Sequence, residues 1–266
     1  MIRVLKWALP CALFLLACQK QLLPALPDAE TVLDGPIVGL TPAQINQHNA
    51  GDLAFGRIFS PAEGLGPLYV TNSCETCHGG DGKGHPFTTF TRFGKMTANG
   101  FDPMISEGGP QLQPFSIPNY PVETLPTSAT GVAKFMAPAV TGLGLVEAVS
   151  DADILAYTDE NDSNSDGISG LASYIETPDY FVPKAWNTAV NGKYIGRFGR
   201  KAAAIDLLHQ TVNAYFNDMG ITSDFHTEDI YHVQMGASSG DNAPEPEVGK
   251  SSVLQNVFYL QTLKVP

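Results

Sequence analysis

Apolar residues recur at helical spacing in only a few stretches of this 266-residue chain. The clearest is KAAAIDLLHQTVNAYFNDMG, residues 201–220. Here Ile205, Leu208, Val212, Tyr215, Phe216 and Met219 fall along one face and Gly220 follows as a stop, which predicts a helix with a buried stripe. SSVLQNVFYLQTL, residues 251–263, places Leu254, Val257, Phe258 and Leu260 in the same rhythm and predicts a closing amphipathic helix. Thr41, Pro42 and Gln44 make a capping box that opens another helix running toward Phe59. Ser150 with Asp153 caps a short one through Tyr157. His48 in the first of these helices reads as a surface residue, and His209 as a satisfied helical histidine. Residues 79–145 are rich in Gly, Pro and Thr with few periodic segments, and read as loops with at most short hairpins. Loops of that length in a compact domain need something to organise them.

The start of the chain carries a different pattern. Arg3 and Lys6 precede an apolar run from Trp7 to Ala17, the layout of a secretory signal and too short for a membrane span. The run ends in Leu15-Leu16-Ala17-Cys18, which resembles a bacterial lipobox in which Cys18 is lipidated and becomes the first mature residue. An ordinary signal cut nearby, with Cys18 incidental, is the alternative. Either way the protein is exported; lipidation would fix it to a membrane at the periplasmic face. The chain therefore divides into a leader over 1–17, a Pro-rich tether over 18–40 and a domain over 41–266.

Composition narrows the partners. Hydrophobic residues at 43% describe a globular chain with enough length for a sizeable core. Once Arg3 and Lys6 leave with the signal, the formal charge of −12 becomes −14. Nucleic acid and anionic lipid surfaces are then poor partners, whereas a cationic redox protein would be steered in. The same acidity also serves plain solubility.

The cysteines point to the chemistry. Of four, Cys11 leaves with the signal and Cys18 is the candidate for acylation, so only Cys74 and Cys77 remain and no disulfide framework can form. They lie in NSCETCHGGDGKG, residues 72–84, with His78 directly after the second. A structural zinc site commonly wants a second ligand pair, which is lacking. A redox dithiol does not require the histidine. Covalent haem attachment does: two thiols one helical turn apart reach the two vinyl groups, and the next residue offers its imidazole to the iron. Cys74, Cys77 and His78 are thus the expected seat of one haem c. Gly79, Gly80, Gly82 and Gly84 would let the backbone turn beside a flat cofactor, or form a plain loop. Phe87, Phe90 and Phe93 could line its edge or be ordinary core.

The other axial position decides between electron transfer and reaction with peroxide. Met136, in a Pro-containing segment at a spacing after His78 like that of small cytochromes c, is the first candidate. Met219 is weaker, since its place on a helical stripe already explains it as core. Met96, Met104 and Met235 are weaker still, and His85 is too near His78. Peroxide chemistry would also need an acid/base and a cation, for which Glu107, Glu147, Arg92 and Arg197 are available. A second polar loop, TDENDSNSDGISG, places Asp162, Asn164 and Asp166 at alternate positions before Gly167, like the start of a calcium loop. Ser173 stands where an EF-hand would put its Glu, so the choice is between a looser calcium cage and an acidic turn. No triad order, phosphate-cradling glycine motif or basic aromatic patch favours a hydrolase, nucleotide or nucleic-acid role.

Taken together, GLGPLYVTNSCETCHGGDGKG, APAVTGLGLVEAV, DGISG, IGRFGRKA and NAYFNDMGITS, spread over residues 64–223, resemble the bacterial di-haem oxidoreductase family, related to di-haem cytochrome c peroxidases. The resemblance implies export, haem c, a redox role and a cytochrome-c-like helical domain. With the helices above, the expected fold is mainly α, a cytochrome-c-like haem domain with long irregular insertions. Family members carry a second Cys-x-x-Cys-His motif that this chain lacks, so the resemblance makes it the N-terminal haem domain only: a one-haem form, a truncated product of a di-haem protein, or one part of a split protein with a separate second haem domain as partner. Members commonly have Trp where Arg200 stands, and an Arg near the position of Lys134 and Phe135. Three readings follow: a one-haem electron-transfer domain, a peroxidase-like oxidoreductase acting with a second haem domain, and a binding or assembly module with structural haem.

Overall fold

The computed structural model describes residues 35–82, 84–236, 240–241 and 243–265. The expected leader, Cys18 and the tether as far as residue 34 lie outside the described residues. The described α-helices are α1 (Pro42–Phe55), α2 (Cys74–Cys77), α3 (Leu143–Ala148), α4 (Asp151–Leu155), α5 (Leu207–Met219) and α6 (Lys250–Thr262). The strands are β1 (Leu68–Tyr69), β2 (Thr89–Thr97), β3 (Gly100–Asp102), β4 (Gln111–Leu112), β5 (Phe115–Ser116), β6 (Gly131–Met136), β7 (Tyr174–Ile175) and β8 (Tyr194–Ile195).

Helix α1 begins as its sequence directs. Thr41 caps it, with Gln44 Oε1 accepting from the Thr41 amide at 2.9 Å and Pro42 in the first turn. Helix α5 starts later than the 201–220 pattern suggests, because Asp206 takes the cap and accepts from the His209 amide at 2.8 Å. It ends at Gly220, in the left-handed region at φ 66°, as the stop signal requires. Helices α1 and α6 pack across Gly51, where a Cβ would lie 2.3 Å from the Gln255 carbonyl and 2.6 Å from Tyr259 Cβ. Only glycine permits that approach. It also buries His48, whose Nδ1 lies 2.7 Å from Thr262 Oγ1 and whose ring packs on Tyr259. The expected surface position of His48 is therefore wrong: the docking of α6 covers it.

Two apolar clusters flank α2. One gathers Phe55, Val140, Phe198, Leu207, Tyr259 and Leu263; the other gathers Phe59, Leu65, Val212, Tyr215, Met219 and Val253. Cys74 and Leu208 touch both. The Cys-x-x-Cys-His turn therefore sits at the seam of the core.

The stretch read as loops contains the main sheet. Strand β2 pairs antiparallel with β3, β4 and β6, its register with β6 running from Thr89 opposite Met136 to Gly94 opposite Gly131. Two smaller pairs, β1 with β5 and β7 with β8, are also antiparallel. Helix makes up only 28% of the described residues and strand 18%, so the expectation of a mainly α domain is corrected. Its long "insertions" are sheet built by non-local pairing. Further along, Arg197 forms a buried ion pair with Asp151, and its guanidinium also donates to the Val149 carbonyl, tying α4 to the 184–200 segment. Among the described residues no helix is long and apolar enough to cross a membrane.

Candidate functional site

Ser73 is extended, and the chain then turns into α2, with the His78 amide donating to the Cys74 carbonyl at 3.0 Å. That single turn brings the two thiols to one side and sets His78 at its end. Neither thiol is in a disulfide.

Burial is the main influence on both. The Cys74 thiol is pushed up to about 12 by desolvation, with the nearby Asp218 carboxyl adding and a hydrogen bond from Asn256 opposing. Cys77 is raised for the same first reason, and Thr71 opposes. A working dithiol needs a thiolate, which this metal-free pocket disfavours. A thioether carries no charge and meets no such penalty. The chemistry of the donor set therefore fits a covalently held haem better than a working dithiol.

The His78 imidazole lies 6.0 Å from the Phe55 ring, and its Nδ1 is sealed from solvent without a hydrogen-bond partner. Burial lowers its pKa to about 4, with the Pro138 carbonyl near enough to oppose the shift but outside good hydrogen-bond geometry. The ring is neutral at pH 7, the form that offers a lone pair to iron. Pro138 arrives on the segment that follows β6, which is laced to the glycines after His78 by Gly84 N to the Ala137 carbonyl at 3.0 Å and Val140 N to the Gly82 carbonyl at 3.3 Å. A Cβ at Gly84 would sit 2.7 Å from the Ala137 nitrogen, so this glycine serves close approach; around Gly79 and Gly80 the space is open.

Two polar residues at the thiols were not singled out from the sequence. Asp218 accepts from Gln111 Nε2 at 2.7 Å, and its backbone carbonyl accepts from Val70 and Thr71. Desolvation pushes its carboxyl up to about 6, with Gln111 and Arg92 opposing. Asn256 is buried on α6 and donates to Tyr215 Oη at 3.0 Å. The available signal was a polar residue between Val253, Val257 and Leu260, at positions where helical spacing calls for apolar ones.

Met136, half-buried, ends β6 two residues before Pro138, and the Arg200 guanidinium holds its carbonyl at 2.6 Å. Strand β6 thus ends two residues short of Pro138, the residue whose backbone acts on His78. Met219 is fully buried in the second apolar cluster, which accounts for it as packing. Met104 is buried away in the loop after β3, while Met96, Met235, Phe87 and His85 are exposed. Phe90 stacks on Phe135, and Phe93 is buried under the sheet.

The side chains considered for peroxide chemistry are not assembled around His78. Arg197 is engaged by Asp151. Glu147 pairs with Lys184 at 2.8 Å and accepts from the Leu207 amide and Gln261. Glu107 is half-buried and accepts from Ser128. Arg92 alone acts near the thiols, through Asp218. The calcium expectation is also unsupported at its residues. Asp162, Asn164 and Asp166 turn their oxygens onto the amides of Asp166, Gly167 and Ile168 in an exposed turn. A self-capped acidic turn satisfies these groups without an ion.

A family model described as "Di-haem oxidoreductase, putative peroxidase" matches residues 130–266, just over half of the chain. No curated protein and no solved structure matches it.

Proposed function

We propose, from the premise that this chain belongs to the di-haem oxidoreductase family, that it is an exported domain holding one haem c for electron transfer. Cys74 and Cys77 would form the two thioethers and His78 the axial bond. When bound, the haem supplies a one-electron iron couple. The chain's own residues supply the rest. Core packing on both sides of Cys74 fixes the attachment turn, burial keeps the imidazole neutral, and the Pro138 carbonyl stands ready to orient it. Met136 is proposed as the sixth ligand because it lies two residues before Pro138, on the segment that meets the haem-motif loop, with Met219 the weaker alternative. Export, the Cys18 lipid anchor and a redox partner, including a separate second haem domain, belong to the same reading.

The observation that carries it is the pair of unbonded, half-buried thiols one turn apart beside a half-buried imidazole whose Nδ1 is sealed without a hydrogen-bond partner. Expression with haem-maturation machinery should give one haem per chain that survives denaturation, as read by the pyridine haemochrome spectrum. The variant Cys74→Ser with Cys77→Ser should lose it. A colourless product with both thiols open to alkylation would overturn the proposal. Met136→Leu should remove the methionine–iron charge-transfer band; an unchanged spectrum would dismiss Met136 as ligand.

The family description favours a second reading, peroxidase-like oxidoreduction together with a second haem domain. The dispersal of Glu107, Glu147 and Arg197 weighs against this domain performing that reaction alone. High-spin resting iron with peroxide turnover by the isolated domain would reverse the preference.

A further inference from the structure

Beyond α5 the chain runs out from Thr222 and returns beside it, with the Val248 amide donating to the Thr222 carbonyl at 3.2 Å. This excursion brings together the carboxylates of Asp229, Asp241, Glu245 and Glu247, each offering an oxygen within 4.8 Å of the others. Asp241 is 5% exposed; its Oδ1 accepts from the Ala243 amide, yet its Oδ2 is sealed without a partner. Asp229 Oδ1 and Glu247 Oε1 are likewise buried and unpartnered. Among the described residues no lysine, arginine or histidine forms an ion pair with any of the four. Buried anionic oxygens with neither donor nor counter-ion are costly.

The backbone around them leaves room for the carboxylates. A Cβ at Gly240 would fall 1.7 Å from Asp229 Oδ2, and one at Gly64 would fall 1.9 Å from the Glu247 stem. Two glycines thus allow two of the carboxylates to enter. Thr222, fully buried, fixes one oxygen of each glutamate: its hydroxyl meets both Glu245 and Glu247, and its amide donates to Glu247 Oε2 at 2.7 Å. The remaining oxygens face one another.

We infer that Asp229, Asp241, Glu245 and Glu247 form a binding site for a hard divalent cation of the calcium class. Donors that are all oxygen, with four carboxylates converging, match the preference of Ca²⁺ over softer metals. The site is distinct from the Asp162–Asp166 turn, whose oxygens are already satisfied, and does not depend on the haem proposal. An ion there would clamp the 224–248 excursion to Thr222 and to the turn at Gly64. Its role is to stabilise the fold. The rival is shared protons: without an ion, burial and mutual repulsion raise Asp229 to about 6 and Glu247 to about 7.

The test uses the full-length protein, chelated, desalted and with its haem content counted separately. Titration with Ca²⁺, and in parallel with Mg²⁺ at matched ionic strength, should raise the unfolding temperature saturably for Ca²⁺. The rise should be about 5–10 °C at a hundredfold excess over the dissociation constant. Elemental analysis should find one retained calcium per chain. Asp241→Asn with Glu247→Gln should lose both signals, while Asp162→Asn with Asp166→Asn should keep them. A wild-type protein that retains no ion and shows no shift would overturn the inference in favour of shared protons, as would a shift that survives in the first variant. The wild-type titration decides even if that variant does not fold, and a haem count of zero with a normal calcium shift would refute the haem reading alone.

Discussion

Around the Cys74–Cys77 turn, helices α1, α5 and α6 meet through apolar side chains and one glycine, whereas between residues 89 and 200 the chain is held by strand pairing and buried polar contacts. In the helical region the Gly51 crossing and the two apolar clusters dominate, with His48–Thr262 and Asn256–Tyr215 as the buried polar contacts between helices. In the other region Arg197 joins Asp151, and Glu123, itself buried, accepts from the Gln113 amide. Apolar packing suffices where the sequence is locally periodic. Where it is not, specific buried polar groups choose among the many ways a short-stranded segment could fold.

Four substitutions sharpen that contrast. Arg197→Ala leaves Asp151 charged and buried without its partner, and should cost about 3–5 kcal/mol in chemical denaturation. A loss below about 1 kcal/mol would mean that the strand-and-loop region does not rely on its ion pair. Gly51→Ala forces a methyl into the Gln255 carbonyl and should cost about 3 kcal/mol, with haem retention as a second readout. A neutral result would remove close approach as the organiser of the helical region.

Glu123 provides a pH test. Burial raises its carboxyl to about 7 from an ordinary value near 4.5, so the folded state holds the proton more tightly than the unfolded chain. Its contribution is therefore fully present below about pH 4.5 and is lost as pH rises toward 7. Glu123→Gln keeps the acceptor for Gln113, should flatten that slope, and should be more stable than wild type at pH 8 by about 2 kcal/mol, discounted for residual solvent screening. An unchanged slope would place the titration elsewhere. Last and smallest, Val132→Thr on the exposed face of β6 should change stability by less than about 0.5 kcal/mol. A larger loss in thermal unfolding would mean that this face is covered in the working protein.

The same divide explains what could be read from the sequence. The Thr41 cap, the α5 stripe and the α6 periodicity are local signals, and these helices stand close to where they point. Strand β2 gives no such signal: Phe90 and Phe93 face opposite sides, and Gly94 breaks the alternation so that Phe101 can approach, a Cβ there falling 2.2 Å from the Phe101 ring. Its partner β6 lies far along the chain, so the pairing is invisible to any window. His48 was misread for a related reason, since Thr262 and Tyr259 bury it from the opposite end of the domain. At the candidate site the motif itself named Cys74, Cys77 and His78. Asp218, Asn256 and Pro138 became visible only once three separated segments were placed around it.

The two ends of the described domain lie together. Ile37 donates to the Thr262 carbonyl at 2.8 Å and Lys264 to the Gly35 carbonyl at 3.0 Å, so its first and last strands of chain run side by side. A circularly permuted gene, opened in the exposed 159–167 turn and joined by a short linker between 264 and 35, would turn the α1–α6 contact from the most distant in sequence into a local hairpin of helices. Such a rearranged chain would have lower contact order and should refold faster than the parent, with the Cys74–Cys77 turn left in the middle of the new sequence.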